Sequence, residues 1–598
     1  MCDTVYATFA ETAARLPDRP ALMHKVNGRY RTITFRELGH LIDLTAAGLA
    51  RRGVKPGSRV GIYSYNRPEW VIADLALVKL GAVVVPVYHT LPEDSIRYIL
   101  RDAEVTHLFV ENAELLATAT KVLADLPALK DVILFFPQAR ETRTGKELFS
   151  LGALQESGKQ ALAEDPALAR PYQNRPDDLL TICYTSGTTG EPKGAMLTHS
   201  NIMSNVAAAI ERFNISERDL LLSFLPLCHM FERTCGYYTM LLAGATIAYA
   251  ESLQTVTEDI RLVRPTLLIV VPRVLEKVYS AVTERVLTGP ALNRFLMRAT
   301  LRAASRCARY RARHEAPPVW LRIWRWKLDK LVVSKLRRLG GGRIRLLVSG
   351  SAPLEKRIAR TFRNLGFNLI EGYGLTETSP VVCTLVPGEE RIGSVGKPFP
   401  GVEIRIGPDS EVLVRGPNVM KGYLNKPEET ARTIDPEGWL HTGDQGRIDP
   451  DGNLIITGRL KEIIVTSYGK NIAPVPIEQA LCASRFFEQA VVIGDRQPFL
   501  TALIVPGRVA LEDYARTQGI AFSDYAALVA DPRIVALAEA EVVRQLSSFA
   551  GYEQVKKFRL VPEPMTIENG LLTPTLKVRR KKVAEQYREL IEAMYKEQ

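Results

Sequence analysis

Nothing in this 598-residue chain offers a covalent staple or a way across a bilayer. Its seven cysteines (Cys2, Cys183, Cys228, Cys235, Cys307, Cys383, Cys482) are scattered, with no CxxC pair. That argues against a structural zinc site and suits a reducing cytosol. No apolar run approaches the ~20 residues of a membrane-spanning helix. The opening stretch MCDTVYATFAETAARLP has acidic residues and no continuous apolar core, so no signal peptide is expected. There is no internal repeat, no low-complexity segment, and no GxxxxGK[ST] phosphate loop. Acidic residues are in deficit, 66 against 78 Lys and Arg, which leaves a net charge of +12 and a pI near 9.2. Such a surplus points to anionic partners: nucleic acid, an anionic membrane or an anionic small molecule. No nucleic-acid-binding module is recognisable.

What is present reads as a globular α/β protein. Hydrophobic residues make up 46% and charged residues 24%, and the length calls for at least two domains. Thr34-Phe-Arg-Glu37 is a capping box opening a helix that ends at Gly53. RVGIYS (59–64) is a strand, a helix runs from about Pro68 to Gly81, and AVVVPVY (82–88) is the next buried strand. Thr90-Leu-Pro-Glu93 opens another helix, followed by the strand THLFV (106–110). This rhythm predicts sheets with helices on both faces. Over 394–458 the pattern changes to short strands between Gly, Pro and Asp turns (VEIRI, EVLVRG, NLIITG), a small β-rich subdomain. GRLKE (458–462) reads as a junction. Beyond it VVIGD, LTALIVP and KFRLVPE are three strands of a compact α+β unit. The expected division is a large N-terminal part over 1–458 and a small C-terminal domain over 459–598.

The most informative string is YTSGTTGEPKG (184–194), after the apolar strand DLLTICY. Gly187, Gly190 and Gly194 let backbone N–H groups approach phosphate oxygens. Thr185, Ser186, Thr188 and Thr189 add hydroxyl donors or metal ligands, and Lys193 adds positive charge. A Gly/Ser/Thr stretch alone is more often a flexible turn. EGYGLTET (371–378) combines an aromatic ring, glycines, threonines and carboxylates, a set able to stack a base, approach a phosphate and bind Mg²⁺. WLHTGD (439–444) ends in a carboxylate after a tight turn, able to accept from both hydroxyls of a ribose. His229, in LPLCHMFER, reads on its own as a core histidine, and the lysine of TPTLK (573–577) as part of a solvated basic face with Arg579, Arg580, Lys581 and Lys582.

Taken in order, these strings resemble the motifs of the adenylate-forming superfamily, which contains acyl-CoA synthetases, peptide-synthetase adenylation domains and firefly-type luciferases. EGWLHTGD with the Gly446, Pro450 and Gly452 that follow is similar to the fatty acyl-CoA synthetase signature. ITGRLKE stands where many members have an IDRKK-like string, a variant similar to another branch of long-chain synthetases. The resemblance implies roles. The loop Thr185, Ser186, Gly187, Thr188, Thr189, Gly190 and Lys193 holds the ATP phosphates. Gly350, Ser351 and Ala352 form the companion turn of the adenine site. Glu371, Gly372, Tyr373 and Gly374 form the adenine loop, with Tyr373 stacking on the base. Thr376 contacts the α-phosphate, and Glu377 with Thr185 ligates Mg²⁺. Asp444 and Arg459 hold the ribose, and His229 walls the nucleotide from the acyl site. No tryptophan follows His229 closely, so the gating Trp of some members is not carried over. Lys461 is the hinge, and Lys577 is the catalytic lysine. The implied reaction is activation of a long-chain fatty acid by ATP, then transfer to coenzyme A. An acyl-AMP ligase loading a carrier protein, an aryl or medium-chain acyl-CoA ligase and an idle nucleotide-binding membrane adaptor remain as alternatives.

One stretch stands apart. ALNRFLMRATLRAASRCARYRAR spaces arginines about a turn apart and leads into Trp320, Trp324 and Trp326. It suits a basic amphipathic helix in peripheral contact with an anionic membrane, on the inner face of the cell membrane. It suits equally a solvated helix packed on the domain.

Overall fold

The Thr34 side chain accepts from the backbone N–H of Glu37, and the Glu37 carboxylate reaches back to Thr34, so the helix Phe35–Arg51 opens on a complete capping box. In the computed structural model, which describes residues 2–596 apart from 138–140, 144, 186–190, 288–289, 314, 389–390, 567–568 and 573–577, the alternation that follows is as expected. The strands are Arg59–Tyr63, Val83–Val87 and His107–Val110, with helices Pro68–Lys79 and Glu93–Asp102 between them. The last helix starts differently. Its N-cap is Pro92, which makes no side-chain cap, so Thr90 does not close a box with Glu93. Proline fixes the entry angle instead.

Residues fall into two compact units, the first comprising 1–405, 413–441 and 449–454, the second 406–412, 442–448 and 455–598. The first unit is built on two nine-stranded sheets. One runs Lys397–Pro398, Val381–Thr384, Leu369–Gly374, Leu346–Ser349, Leu267–Val270, Leu220–Ser223, Thr246–Tyr249, Pro20–Val26, Arg29–Thr34. Its middle is parallel and its margins are antiparallel. The other runs Gly422–Tyr423, Lys193–Thr198, Leu179–Thr185, Val83–Val87, Arg59–Tyr63, His107–Val110, Asp131–Leu134, Lys146–Ser150, Glu141–Arg143. Apart from the partly buried Arg59, the central strands are buried and rich in Val, Ile and Leu, as strands covered on both faces require.

Strands Glu403–Ile406, Glu411–Arg415, Leu440–Ile448 and Leu454–Arg459 form a four-stranded sheet in that order. Three were expected. The fourth contains Asp444, placing it inside a strand rather than after a tight turn; Gly443 beside it has φ +68°, which glycine tolerates. In the second unit Phe487–Ile493, Leu500–Pro506 and Val555–Leu560 make the expected three-stranded sheet, with helices such as Pro474–Cys482 and Pro532–Leu546 packed on it. Among the described residues no helix is long and apolar enough to cross a membrane.

Candidate active site

The strand Leu179–Thr185 pairs antiparallel with Lys193–Thr198, Thr185 opposite Lys193 and Tyr184 opposite Gly194. The two strands are consecutive in the chain, with residues 186–192 between them. Ser186, Gly187, Thr188, Thr189 and Gly190 lie outside the described residues. The Thr185 hydroxyl donates to the Lys193 carbonyl over 3.4 Å. On the far side, Lys193–Thr198 pairs with Gly422–Tyr423. That places the Tyr423 ring 5.3 Å from Lys193 Nζ, and Lys193 is also ion-paired to Glu429.

Glu377 enters this group from another element. It lies in a short 3₁₀ turn, Thr376–Thr378, after the strand Leu369–Gly374. The Tyr423 hydroxyl donates to Glu377 Oε1 at 2.8 Å, and the backbone N–H of Met420 donates to the Glu377 carbonyl at 2.9 Å. Burial and the neighbouring carboxylate push the Tyr423 phenol well above its usual range, so it remains a donor. The structure thus brings Lys193, itself paired with Thr185, and Glu377 together on a tyrosine that sequence reasoning missed, as it missed Glu429. Tyr423 is 46 residues from Glu377, and Glu429 is 236 from Lys193. Strand pairing brings Tyr423 beside Lys193, the helix Pro427–Thr433 that follows carries Glu429, and tertiary packing brings in the turn of Glu377.

Residues 350–352 and 371–374 sit at the C-terminal ends of adjacent parallel strands, where ligands bind in open α/β sheets. Gly374 is required by close approach: a Cβ there would lie 1.8 Å from the Pro380 carbonyl oxygen. Gly372, Tyr373 and Thr376 are half-buried. Ser349 and Glu371 are register partners, so both side chains leave the same face. Both are buried, and neither Ser349 Oγ nor Glu371 Oε1 has a hydrogen-bond partner among the described residues. Burial raises the Glu371 carboxyl to about 7, with Arg363 and Lys356 opposing weakly. Two buried polar atoms on one sheet face without partners are what a bound polar ligand would satisfy.

His229 is half-buried. Its Nδ1 accepts from the Phe231 N–H at 3.2 Å, and its ring meets Tyr88 edge to face at 6.3 Å. Phe231 lies under Gly350, where any Cβ would stand 2.8 Å from its ring. The segment carrying His229 therefore touches the turn of Gly350, Ser351 and Ala352, in which Ser351 has φ +68°. Behind it Arg233 is fully buried. It is ion-paired to Asp74 and donates to Thr181 Oγ1 at 2.7 Å, while the Tyr237 and Tyr238 hydroxyls donate to Asp74 Oδ2 at 2.9 and 2.8 Å. This buried network fixes the π-helical segment Phe231–Tyr238 against the strand Leu179–Thr185.

In the second unit Arg459 Nε donates to Asp444 Oδ1 at 2.6 Å, and Asp444 is buried. Lys461 follows in the turn Leu460–Glu462. Lys577 lies outside the described residues.

No group of three His, Cys, Asp or Glu capable of holding a metal occurs among the described residues. The donors instead suit Mg²⁺ held by one carboxylate and phosphate oxygens: Glu377, oriented by Tyr423, is the carboxylate that could take that part.

Two nine-stranded α/β sheets, the strand pair that brings Thr185 opposite Lys193, and a small α+β unit fit an enzyme of the adenylate-forming class. Residues 9–424 match the family described as AMP-binding enzyme, and residues 461–598 match the AMP-binding enzyme C-terminal domain. The chain belongs to the AMP-binding enzyme family. It is 36% identical to the long-chain-fatty-acid–CoA ligase FadD15 of Mycobacterium bovis over 99% of this chain and 97% of that one. It is 34% identical to long-chain-fatty-acid–CoA ligase 1 of Homo sapiens over 97% of this chain and 84% of that one. Among solved structures, the anthranilate CoA ligase AuaEII in complex with anthranoyl-AMP superposes with a TM-score of 0.74, at 20% identity and 98% coverage of both chains.

Proposed function

We propose that this protein is an ATP-dependent long-chain fatty-acid–CoA ligase. The observation that carries the reading is that Tyr423 links Lys193, whose ammonium lies over its ring, to Glu377, whose carboxylate accepts from its hydroxyl. The acid and the acceptor are supported by end-to-end similarity to ligases that bear the long-chain name. No observation favours a carrier-protein acceptor or shorter acids.

The acid's carboxylate attacks the α-phosphorus of ATP, forming a mixed anhydride and releasing pyrophosphate. The thiol of coenzyme A then attacks the acyl carbon, giving the thioester and AMP. Both partners of the first step are anions, so the site must neutralise charge where it develops. Residues 185–190 and Lys193 would cradle the β- and γ-phosphates, Lys193 leaving Glu429 for phosphate oxygen. Thr376 would contact the α-phosphate. Glu377 and Thr185 would hold Mg²⁺, which supplies charge neutralisation at the phosphates. Tyr373, with Gly372 and Gly374, would flank the base opposite Gly350–Ala352, and Glu371 with Ser349 would meet polar atoms of the ligand. Asp444 and Arg459 would hold the ribose hydroxyls, and His229 would stand between nucleotide and acyl chain. Lys577 would act in adenylation alone, with rotation about Lys461 replacing it for thioester formation. The large part would then be 1–458 and the mobile one 459–598. Removing one positioned donor from such a site costs on the order of 100- to 1,000-fold in rate. Acid-dependent release of pyrophosphate from Mg-ATP tests the reading; none with any long-chain acid would refute it.

A further inference from the structure

The segment that carries His229 is irregular, yet it is tethered at both ends. It begins where the strand Leu220–Ser223 stops and ends where the π-helical segment Phe231–Tyr238 starts. The first tether comes from the other nine-stranded sheet. Asn66 follows the strand Arg59–Tyr63, and its side-chain amide makes three hydrogen bonds to this part of the chain. Nδ2 donates to the Leu225 carbonyl at 2.6 Å and to Ser223 Oγ at 3.1 Å, while Oδ1 accepts from the Leu227 N–H at 2.8 Å. One planar amide thus grips both a carbonyl and an N–H of the same backbone, which fixes its position in two directions.

The second tether runs through Ser223. Its hydroxyl accepts from Asn66 and donates to Glu232 Oε1 at 2.5 Å. Glu232 lies in the first turn of the π-helical segment and is 1% exposed. Gly236 leaves room for its carboxyl, since a Cβ there would stand 2.7 Å from Oε1. Burial raises the Glu232 carboxyl to about 8, so it is mostly uncharged at neutral pH. Between the tethers the His229 N–H donates to the Pro226 carbonyl at 3.0 Å, and the His229 carbonyl accepts from the Arg233 N–H at 3.0 Å. His229 Nδ1 accepts from the Phe231 N–H, so in the neutral ring the proton is on Nε2. The backbone of this segment therefore sets both the place and the tautomer of the imidazole. Loop closure alone accounts for the bond between Ser223 and Glu232. It does not account for an amide from the other sheet that holds residues 225 and 227.

We propose that Asn66 is a positioning residue for the ligase reaction: with the Ser223–Glu232 hydrogen bond it sets where His229 stands, and through His229 it sets how the fatty acid's carboxylate is received beside the nucleotide. The inference rests on the ligase reading and deepens it. Asn66 acts through the segment and not on the reactants.

The test compares full-length wild type with Asn66→Ala, Glu232→Ala and Glu232→Gln, by steady-state kinetics with acid and ATP varied in turn. Asn66→Ala is expected to lower kcat/KM for a long-chain acid at least about tenfold, with KM for ATP within about twofold of wild type. Glu232→Ala should shift the same parameter in the same direction. Glu232→Gln keeps an uncharged acceptor for the Ser223 hydroxyl and should restore most of what Glu232→Ala loses. The double variant Asn66→Ala/Glu232→Ala should lose less than the product of the single losses, because both act through one segment. Hydrogen exchange without substrate supplies a readout that does not depend on activity: amides of residues 224–231 should exchange at least about tenfold faster in Asn66→Ala. Should Asn66→Ala fold poorly, the two Glu232 variants carry the same comparison. Unchanged acid kinetics in Asn66→Ala, equal losses for acid and ATP, or unchanged exchange over 224–231 overturns this inference while an active wild type leaves the ligase reading standing. Wild type inactive with every acid overturns both.

Discussion

Tyr423 holds Glu377: its hydroxyl donates to Oε1 at 2.8 Å while its ring faces the ammonium of Lys193. A hydrogen bond to a charged group contributes about 1.5–3 kcal/mol. Tyr423→Phe keeps the ring and removes only this bond. It is expected to lower kcat/KM about tenfold at limiting Mg²⁺ and to raise the Mg²⁺ concentration needed for half-maximal rate. A magnesium titration of both proteins checks this; identical curves would show that Tyr423 does not position the carboxylate.

The pair Arg459–Asp444 leads to a second expectation. Asp444→Asn retains size but loses the charge that, in the proposed site, would accept from a ribose. KM for ATP should rise about tenfold or more, with a much smaller change in KM for the fatty acid. Steady-state kinetics with each substrate varied in turn separates the two.

Glu371 should make stability depend on pH. Its folded-state pKa is raised to about 7 from 4.5 by burial. Below pH 4.5 the carboxyl is protonated in both folded and unfolded chains and contributes no difference. Between 4.5 and 7 the unfolded chain ionises first, so this group costs stability as pH rises, and above about 7 the cost is constant. Glu371→Gln removes that cost. The gap in melting temperature between variant and wild type should widen in the variant's favour from pH 4.5 to 7 and then level off. A gap independent of pH would mean that the carboxyl is not held in its neutral form.

Asp74 and Arg233 are both fully buried. Removing one partner strands the other charge, a loss of about 3–5 kcal/mol. Asp74→Ala should therefore lower the denaturant midpoint of the N-terminal unit far more than loss of an exposed pair such as Arg36–Asp18. Comparing urea midpoints of Asp74→Ala and Asp18→Ala measures the contrast.

Much of this protein was legible before its structure. The Thr34 capping box and the strand–helix rhythm of the first 110 residues follow from local patterns, and local patterns are what a single sequence displays. The Thr90 box failed because Pro92 begins the helix without a side-chain cap. The turn expected before Asp444 proved to be strand because pairing across the four-stranded sheet outweighs the local glycine signal. Tyr423 and Glu429 were invisible for a related reason. Each reaches the site by sheet pairing or chain return over tens to hundreds of residues, and neither sits in a recognisable string. The roles of Lys193, Glu377 and Asp444 came from resemblance, while the contacts around them came from the fold.

The central claim is acid activation followed by transfer to coenzyme A, and it is tested most directly by following AMP and acyl-CoA together. The assay supplies Mg-ATP, coenzyme A and fatty acids of increasing length to wild type and Lys577→Ala. The account predicts one AMP per thioester, preference for long chains, and loss of at least about 100-fold in the variant, with thioester formation from supplied acyl-AMP largely retained. Pyrophosphate release without acyl-CoA, or equal loss of both half-reactions in Lys577→Ala, would contradict it.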